Sequence, residues 1–173
     1  MVEIKRITRE NRQDLNIPNE PFNMPGRMIP LLHDGVWTFR TEYFSETQTM
    51  VFPEENYDFD EISTKGIVFG AYEDGNCIGI AIYQDYWLKY MYLYDLKVNA
   101  SARGSGVGTM LINAGMEAAK KRGYCGIYTV AQDNNLNACL FYLKNGFEIG
   151  GFDNRTYDGT SQEGKADIIF YKK

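Results

Sequence analysis

The stretch that most constrains this chain is Tyr90-Met-Tyr-Leu-Tyr-Asp-Leu-Lys-Val98, followed closely by Arg103-Gly-Ser-Gly-Val-Gly-Thr109 and a long helical pattern. A strand that feeds a glycine-rich turn, and a turn that opens a helix, aims unpaired backbone N–H groups and the positive end of a helix dipole at one point. Such a point holds phosphate with few side chains. Glycines 104, 106 and 108 let the backbone come close to the ligand and take up φ > 0 where required. Arg103 adds a permanent charge and a planar donor fork. The pattern implies a phosphorylated ligand, and the remaining sequence has to say which one.

Composition narrows the class. A chain of 173 residues with 44% hydrophobic and 24% charged residues reads as one soluble domain. No apolar run approaches the roughly 20 residues that span a bilayer, so no membrane role is expected. Met-Val-Glu-Ile-Lys-Arg at the start contains an acid and lacks the apolar core of a signal peptide. Cys77, Cys125 and Cys139 form no CxxC pair and read as buried reduced thiols, which makes the cytoplasm the expected location. With a net charge of −5 and no basic cluster beyond Lys120-Lys121-Arg122, nucleic acid is not an expected partner.

The single histidine, His33, has no Cys/His/Asp cluster around it in sequence, which argues against a zinc site or a Ser-His-Asp triad. No metal is expected, and acid–base work falls to Tyr, Asp, Glu or Cys. Residues 42–61 carry seven carboxylates (Glu42, Glu46, Glu54, Glu55, Asp58, Asp60, Glu61) and no lysine or arginine. That run is either a solvated face or an attractive field for a cationic substrate.

Periodicity sets out the elements. Val2–Ile7 alternates as a short strand, and Thr8 is placed to cap a helix to about Asn16. Pro18, Pro21, Pro25 and Pro30 predict a long ordered loop over residues 17–30. Val36–Tyr43 alternates in the strand manner. Strands are predicted at 66–72 and 77–83, joined by a turn at Glu73-Asp-Gly-Asn76, and at 90–98. A helix over 106–122 buries Met110, Leu111, Ala114, Ala118 and Ala119. A strand at 126–130, a helix at 135–145 stopped by Gly146, and strands at 147–152 and 166–171 complete the chain. The order suggests a mixed sheet with helices on both faces.

Gly104-x-Gly106-x-Gly108 departs from a dinucleotide fingerprint in spacing, in following a hairpin meander, and in lacking an acid about 20 residues later. A Walker loop would need Gly-Lys-Ser/Thr, which is absent. Arg103-x-x-Gly106-x-Gly108 after Lys97-Val98 instead resembles the coenzyme A pyrophosphate loop of GNAT-type N-acetyltransferases. Asn135-x-x-Ala138-x-x-Phe141-Tyr142-x-Lys144-x-Gly146-Phe147 is similar to a second signature of that family, in the same order along the chain. The resemblance implies an α/β (α+β) GNAT fold with a mixed, mostly antiparallel central sheet of about seven strands. That sheet has helices on both faces and is splayed at the acetyl-CoA site. Residues 1–173 then form a single acetyltransferase domain, with 1–64 as the acceptor-binding part and 65–171 as the coenzyme A core.

Carried onto this chain, the family's pattern has the backbone of Leu96, Lys97 and Val98 holding the pantetheine arm in the manner of an added strand. Arg103, Gly104, Ser105, Gly106, Val107, Gly108 and Thr109 cradle the pyrophosphate, and Asn135 and Ala138 contribute from the next helix. Tyr142 becomes the general acid toward the departing thiolate, a phenol of pKa about 10 beside a thiol of about 8.5. Asp95 is the first choice for the base, with Tyr94 and water-linked carboxylates as rivals.

Pro18-Asn-Glu-Pro-Phe22, Gly26-Arg27-x-Ile29-Pro30 and Gly35-Val-Trp37-Thr resemble the opening of streptothricin acetyltransferases, and Gln132-Asp133-Asn-Asn135 agrees. The implied acceptor is a primary amine of a small cationic molecule, streptothricin among the candidates, with Glu20, Phe22, Trp37 and Tyr94 lining its pocket. Two positions depart: Tyr94-Asp95 stands where that subgroup carries Glu-Asp, and Val130 where it carries Glu. An unmatched buried ammonium is costly, so these departures favour a changed acceptor. Another small amine, a protein amine, or a non-catalytic acyl-coenzyme A module remain open readings. Dimers are common in the family, and a homodimer rests on that analogy alone.

Overall fold

The computed structural model describes residues Met1–Lys173. In chain order the strands and helices are β1 Glu3–Arg6, β2 Phe22–His33, β3 Val36–Met50, α1 Phe59–Lys65, β4 Gly66–Glu73, β5 Asn76–Gln84, β6 Tyr90–Val98, α2 Val107–Lys121, β7 Gly126–Gln132, α3 Leu136–Lys144, β8 Glu148–Asp153 and β9 Asp167–Lys172. Seven strands form a mostly antiparallel sheet in the order β1-β4-β5-β6-β7-β9-β8, and β2-β3 form a separate ribbon. The expected mixed fold is therefore present. Contacts divide the chain into two compact units, one of Met1–Pro21 with Val51–Ile127 and one of Phe22–Met50 with Tyr128–Lys173.

In the first unit β5 carries the alternation that builds both layers. Ile80 and Ile82 face a cluster of Ile7, Leu15, Ile17, Ile62 and Val68 beneath α1 and the 3-10 helix Arg9–Asn16. Tyr83 points to the other face, where its hydroxyl donates to the Leu111 carbonyl of α2 (3.1 Å) and its ring fills the space left by Gly115. Period 2 along β5 thus puts helices on opposite faces of this part of the sheet. The β4–β5 hairpin turns on Asp74 (φ 49°) and Gly75 (φ 83°), the Asp-Gly pair that a two-residue turn with two positive φ values requires.

Three expectations are corrected here. Residues 17–30 are not one long loop, because β2 occupies most of the segment. In a two-stranded ribbon every second N–H faces away from the partner, and proline is tolerated at such edge positions. Pro25 coincides with a register break, at which β3 carries extra residues between Tyr43 and Gln48. Met110 is exposed, and the buried stripe of α2 runs instead through Val107, Gly108, Leu111, Ile112, Gly115, Ala118 and Ala119. Only Cys139 of the three thiols is fully buried, while Cys77 is half-buried and Cys125 exposed. Burial pushes the Cys77 thiol up to about 11 and the Cys139 thiol up to about 12.

In the second unit the ribbon turns on Asp34 (φ 49°) and Gly35 (φ 77°). Its base is tied down twice: the Met28 N–H donates to the Asp133 carbonyl (2.9 Å), and Asn137 Nδ2 of α3 donates to the Asn23 carbonyl (3.0 Å). Asp133 is buried and accepts from the Ala166 N–H (3.0 Å), fixing the β7–α3 loop to the start of β9. No helix of the protein is long and apolar enough to cross a membrane.

Candidate active site

The glycine turn has the geometry that its sequence implies. Gly104 (φ 78°) and Gly106 (φ 92°) adopt the conformation that side-chain-bearing residues avoid, and Gly106 is the N-cap of α2. The first intrahelical bond runs from the Met110 N–H to the Gly106 carbonyl (3.0 Å). The N–H groups of Val107, Gly108 and Thr109 therefore lead the helix without intrahelical partners. A Cβ built on Gly104 or Gly106 meets nothing within 4 Å. An open, donor-rich turn of this kind fits a pyrophosphate.

Arg103 works differently from a bare phosphate clamp. Its Nε donates to the Val98 carbonyl (3.0 Å) and its Nη1 to the Pro21 carbonyl (2.6 Å). Glu20 closes the same junction, accepting from the Ala100 N–H (2.5 Å). Together they fasten the end of β6 and the turn to the segment that precedes β2. The positive charge stays beside the turn while its hydrogen bonds go to backbone.

Asp95 lies on β6 just after a β-bulge: Ile82 opposes Asp95 but Tyr83 opposes Leu93, so Tyr94 is the extra residue. Tyr94 is exposed and its ring packs edge-on against Tyr57 (6.1 Å) and Tyr92 (5.8 Å). The Tyr57 hydroxyl donates to Asp95 Oδ2 (3.0 Å). Lys97 Nζ sits 2.5 Å from Glu55, 3.9 Å from Asp95 Oδ2 and 5.5 Å from the centre of the Tyr57 ring. Burial raises the Asp95 carboxyl above its ordinary range, the Lys97 charge opposes that, and the Glu55 charge adds to it. Burial works in the same direction on Glu55, but hydrogen bonds from Lys97 and Asn19 outweigh it and hold that carboxyl low. The Tyr57 phenol is pushed well up, by burial first and by Asp95 second.

Of the two readings of residues 42–61, most of the carboxylates follow the solvated face. Glu42 and Glu46 lie on the exposed β3, Asp58 caps α1 through the Glu61 N–H (2.8 Å), Asp60 pairs with Arg9 and Glu61 with Lys65. Only Glu55 joins Asp95. Tyr57 was not singled out from sequence, because its partner lies 38 residues away on another element.

The second unit holds the other predicted residues. Asn135 is the N-cap of α3, its Oδ1 accepting from the Ala138 N–H (3.2 Å). Tyr142 is buried on α3, its ring against Phe147 (5.3 Å) and Phe170 (5.6 Å). Phe22 opens β2, and Trp37 sits half-buried on β3 opposite Leu32. A cavity of about 350 Å³ beside Asp133 is lined by Arg27, Met28, Phe152 and Lys165. Arg27 Nε is buried there without a hydrogen bond, 4.0 Å from Asp133 Oδ2. With two cations to one carboxylate, this cavity does not supply an attractive field for a polycation.

Residues 33–147 match the acetyltransferase (GNAT) family. Streptothricin acetyltransferase A of Bacillus subtilis is 36% identical over 171 residues, 98% of this chain and 99% of that protein. A streptothricin acetyltransferase of Escherichia coli is 26% identical over 158 residues, covering 91% of this chain and 79% of that one. Among solved structures, a Bacillus anthracis protein assigned as a streptothricin acetyltransferase, in complex with acetyl coenzyme A, superposes with a TM-score of 0.90 at 25% identity over 99% of both chains.

Proposed function

Because the chain belongs to the GNAT family of acetyltransferases, we propose that it moves the acetyl group of acetyl-CoA onto a primary amine of a small cationic molecule of the streptothricin class. An acetyltransferase acting on such an antibiotic confers resistance by removing the charge of the acetylated amine. The observation that carries this reading is the extent of the likeness to a streptothricin acetyltransferase: it covers 98% of the chain. It therefore includes residues 1–64, which we assign to acceptor binding, and not the coenzyme A core alone.

Bound acetyl-CoA supplies a thioester whose carbonyl carbon is attacked by the neutral amine as the C–S bond breaks. The chain's own residues do the rest. The N–H groups at the head of α2 bind the pyrophosphate, with the adjacent Arg103 charge in support. Backbone groups of Leu96, Lys97 and Val98 orient the arm, and the Asn135 amide bonds it. Asp95, kept basic by burial, takes the proton of the attacking amine, and Tyr142 returns one to the departing sulfur. Tyr94 presents an exposed aromatic face to the acceptor's positive charge.

Tyr142→Phe tests this division of labour. It should lower kcat about 10²–10⁴-fold while acetyl-CoA still binds with unchanged affinity in calorimetry. Unchanged turnover would remove Tyr142 from the chemistry and leave a core aromatic in its place.

A further inference from the structure

We infer that Tyr57 and Glu55 are positioning residues for Asp95, Tyr57 by holding one carboxylate oxygen and Glu55 by keeping the Lys97 ammonium off it. The inference rests on the reading of Asp95 as the base. Its ground is the arrangement around a single oxygen. Tyr57 donates to Asp95 Oδ2 at 3.0 Å, and Lys97 approaches that same oxygen to 3.9 Å. The Tyr57 bond fixes the carboxylate from that side, Lys97 being drawn to Glu55 instead, and Oδ1 becomes the oxygen that accepts the amine proton. In that step an N–H bond of the acceptor breaks and an O–H bond forms on Asp95, which then releases the proton to solvent.

Tyr57 is held for this purpose by other parts of the same unit. Its N–H donates to Asn16 Oδ1 (2.7 Å) and its carbonyl accepts from Asn16 Nδ2 (2.8 Å), a two-bond clamp on the backbone. The ring is packed edge-on by Tyr94. A phenol so fixed has little freedom to swing away from Asp95.

Glu55 acts through Lys97. A lysine two residues along β6 from a half-buried carboxylate would, if free, form a tight ion pair with it and depress its basicity. Here Glu55 takes the ammonium at 2.5 Å, and Asn19 Nδ2 holds Glu55 in turn (3.1 Å). The charged and titratable groups facing Asp95 in this unit are thus Tyr57 and Glu55 from the segment before α1, and Lys97 from β6. Opposite Asp95, β5 contributes the uncharged Ile82.

The two residues pull the carboxyl in opposite directions, and a structural role alone would not produce that signature. The experiment is the pH profile of kcat with saturating acetyl-CoA and amine for wild type, Tyr57→Phe, Glu55→Gln and Asp95→Asn. Tyr57→Phe keeps the ring and its packing but deletes a bond to the charged form, so the acid limb should move up by about one pH unit. Glu55→Gln releases Lys97 toward Asp95, so the limb should move down, with a fall of about tenfold in kcat at neutral pH as the base weakens. Acid limbs that coincide with wild type in both variants, while Asp95→Asn abolishes the limb, would overturn the positioning roles and leave Asp95 as base. A limb that survives Asp95→Asn would overturn the base assignment and this inference with it.

Discussion

Replacing Gly106 by alanine isolates the contribution of one backbone conformation to coenzyme A binding. Gly106 holds φ at 92° as the N-cap of α2, and a Cβ there meets no atom within 4 Å. The cost is therefore conformational rather than steric, about 1–2 kcal/mol for an L-residue forced into that region. If the turn keeps its shape, the whole cost falls on stability, and Tm drops by about 2–8 °C for a domain of this size. If the turn relaxes instead, the N–H groups of residues 107–109 lose their common aim. Losing one hydrogen bond to a charged phosphate costs about 1.5–3 kcal/mol, a rise of roughly 10–100-fold in Kd for coenzyme A. Calorimetry with coenzyme A and a thermal melt together separate the two outcomes. Gly106→Asn should recover part of either loss, because asparagine tolerates positive φ better than alanine does. In both cases kcat at saturating acetyl-CoA should stay near wild type, since Asp95 and Tyr142 are untouched. Wild-type Kd and wild-type Tm in Gly106→Ala would refute the phosphate-turn reasoning.

Two further outcomes are expected. Asp95→Asn should change the pH dependence of stability: burial raises the native carboxyl above its unfolded value, so the stability it contributes is present in acid and lost as pH rises through the raised value. The Tm of Asp95→Asn relative to wild type should therefore increase from pH 4 to pH 8, and a flat difference would argue that Asp95 ionises as freely as an exposed acid. Gly115→Ala drives a Cβ into the Tyr83 ring and should cost about 1–3 kcal/mol of overpacking in urea unfolding; a variant as stable as wild type would contradict the seating of α2 on β5.

The strands and helices from residue 66 onward were legible because their signals agree. Alternation marks β4, β5 and β6, Asp74-Gly75 marks the first turn, Asn135 and Gly146 bracket α3, and the glycine turn announces α2. The N-terminal third misled because proline outweighed a hairpin signal. Asp34-Gly35 is the same pair that turns β4 into β5, yet four prolines upstream argued for a loop. The ribbon absorbs Pro25 at a register break and Pro30 within an edge strand. Helix α1 was missed at seven residues, although Asp58 at its N-cap, Asp60 and Glu61 in its first turn and Lys65 in its last were all in place. Within the site, local motifs could be read and cross-element bonds could not. Asp95 was reachable from its neighbours in sequence, whereas its tie to Tyr57 exists only once the segment before α1 is laid beside β6. Arg103 shows the converse: its charge was legible, but its use on the Val98 and Pro21 carbonyls was not.

The central claim is acetyl transfer to a small cationic amine, and the most direct test is a mass-spectrometric product screen. Purified protein and acetyl-CoA are offered streptothricin, aminoglycosides, polyamines, free lysine and peptides. A single added acetyl group on streptothricin is expected, lost in Asp95→Asn and Tyr142→Phe. Acetylation confined to peptides, or no product with any amine while coenzyme A still binds, would contradict it.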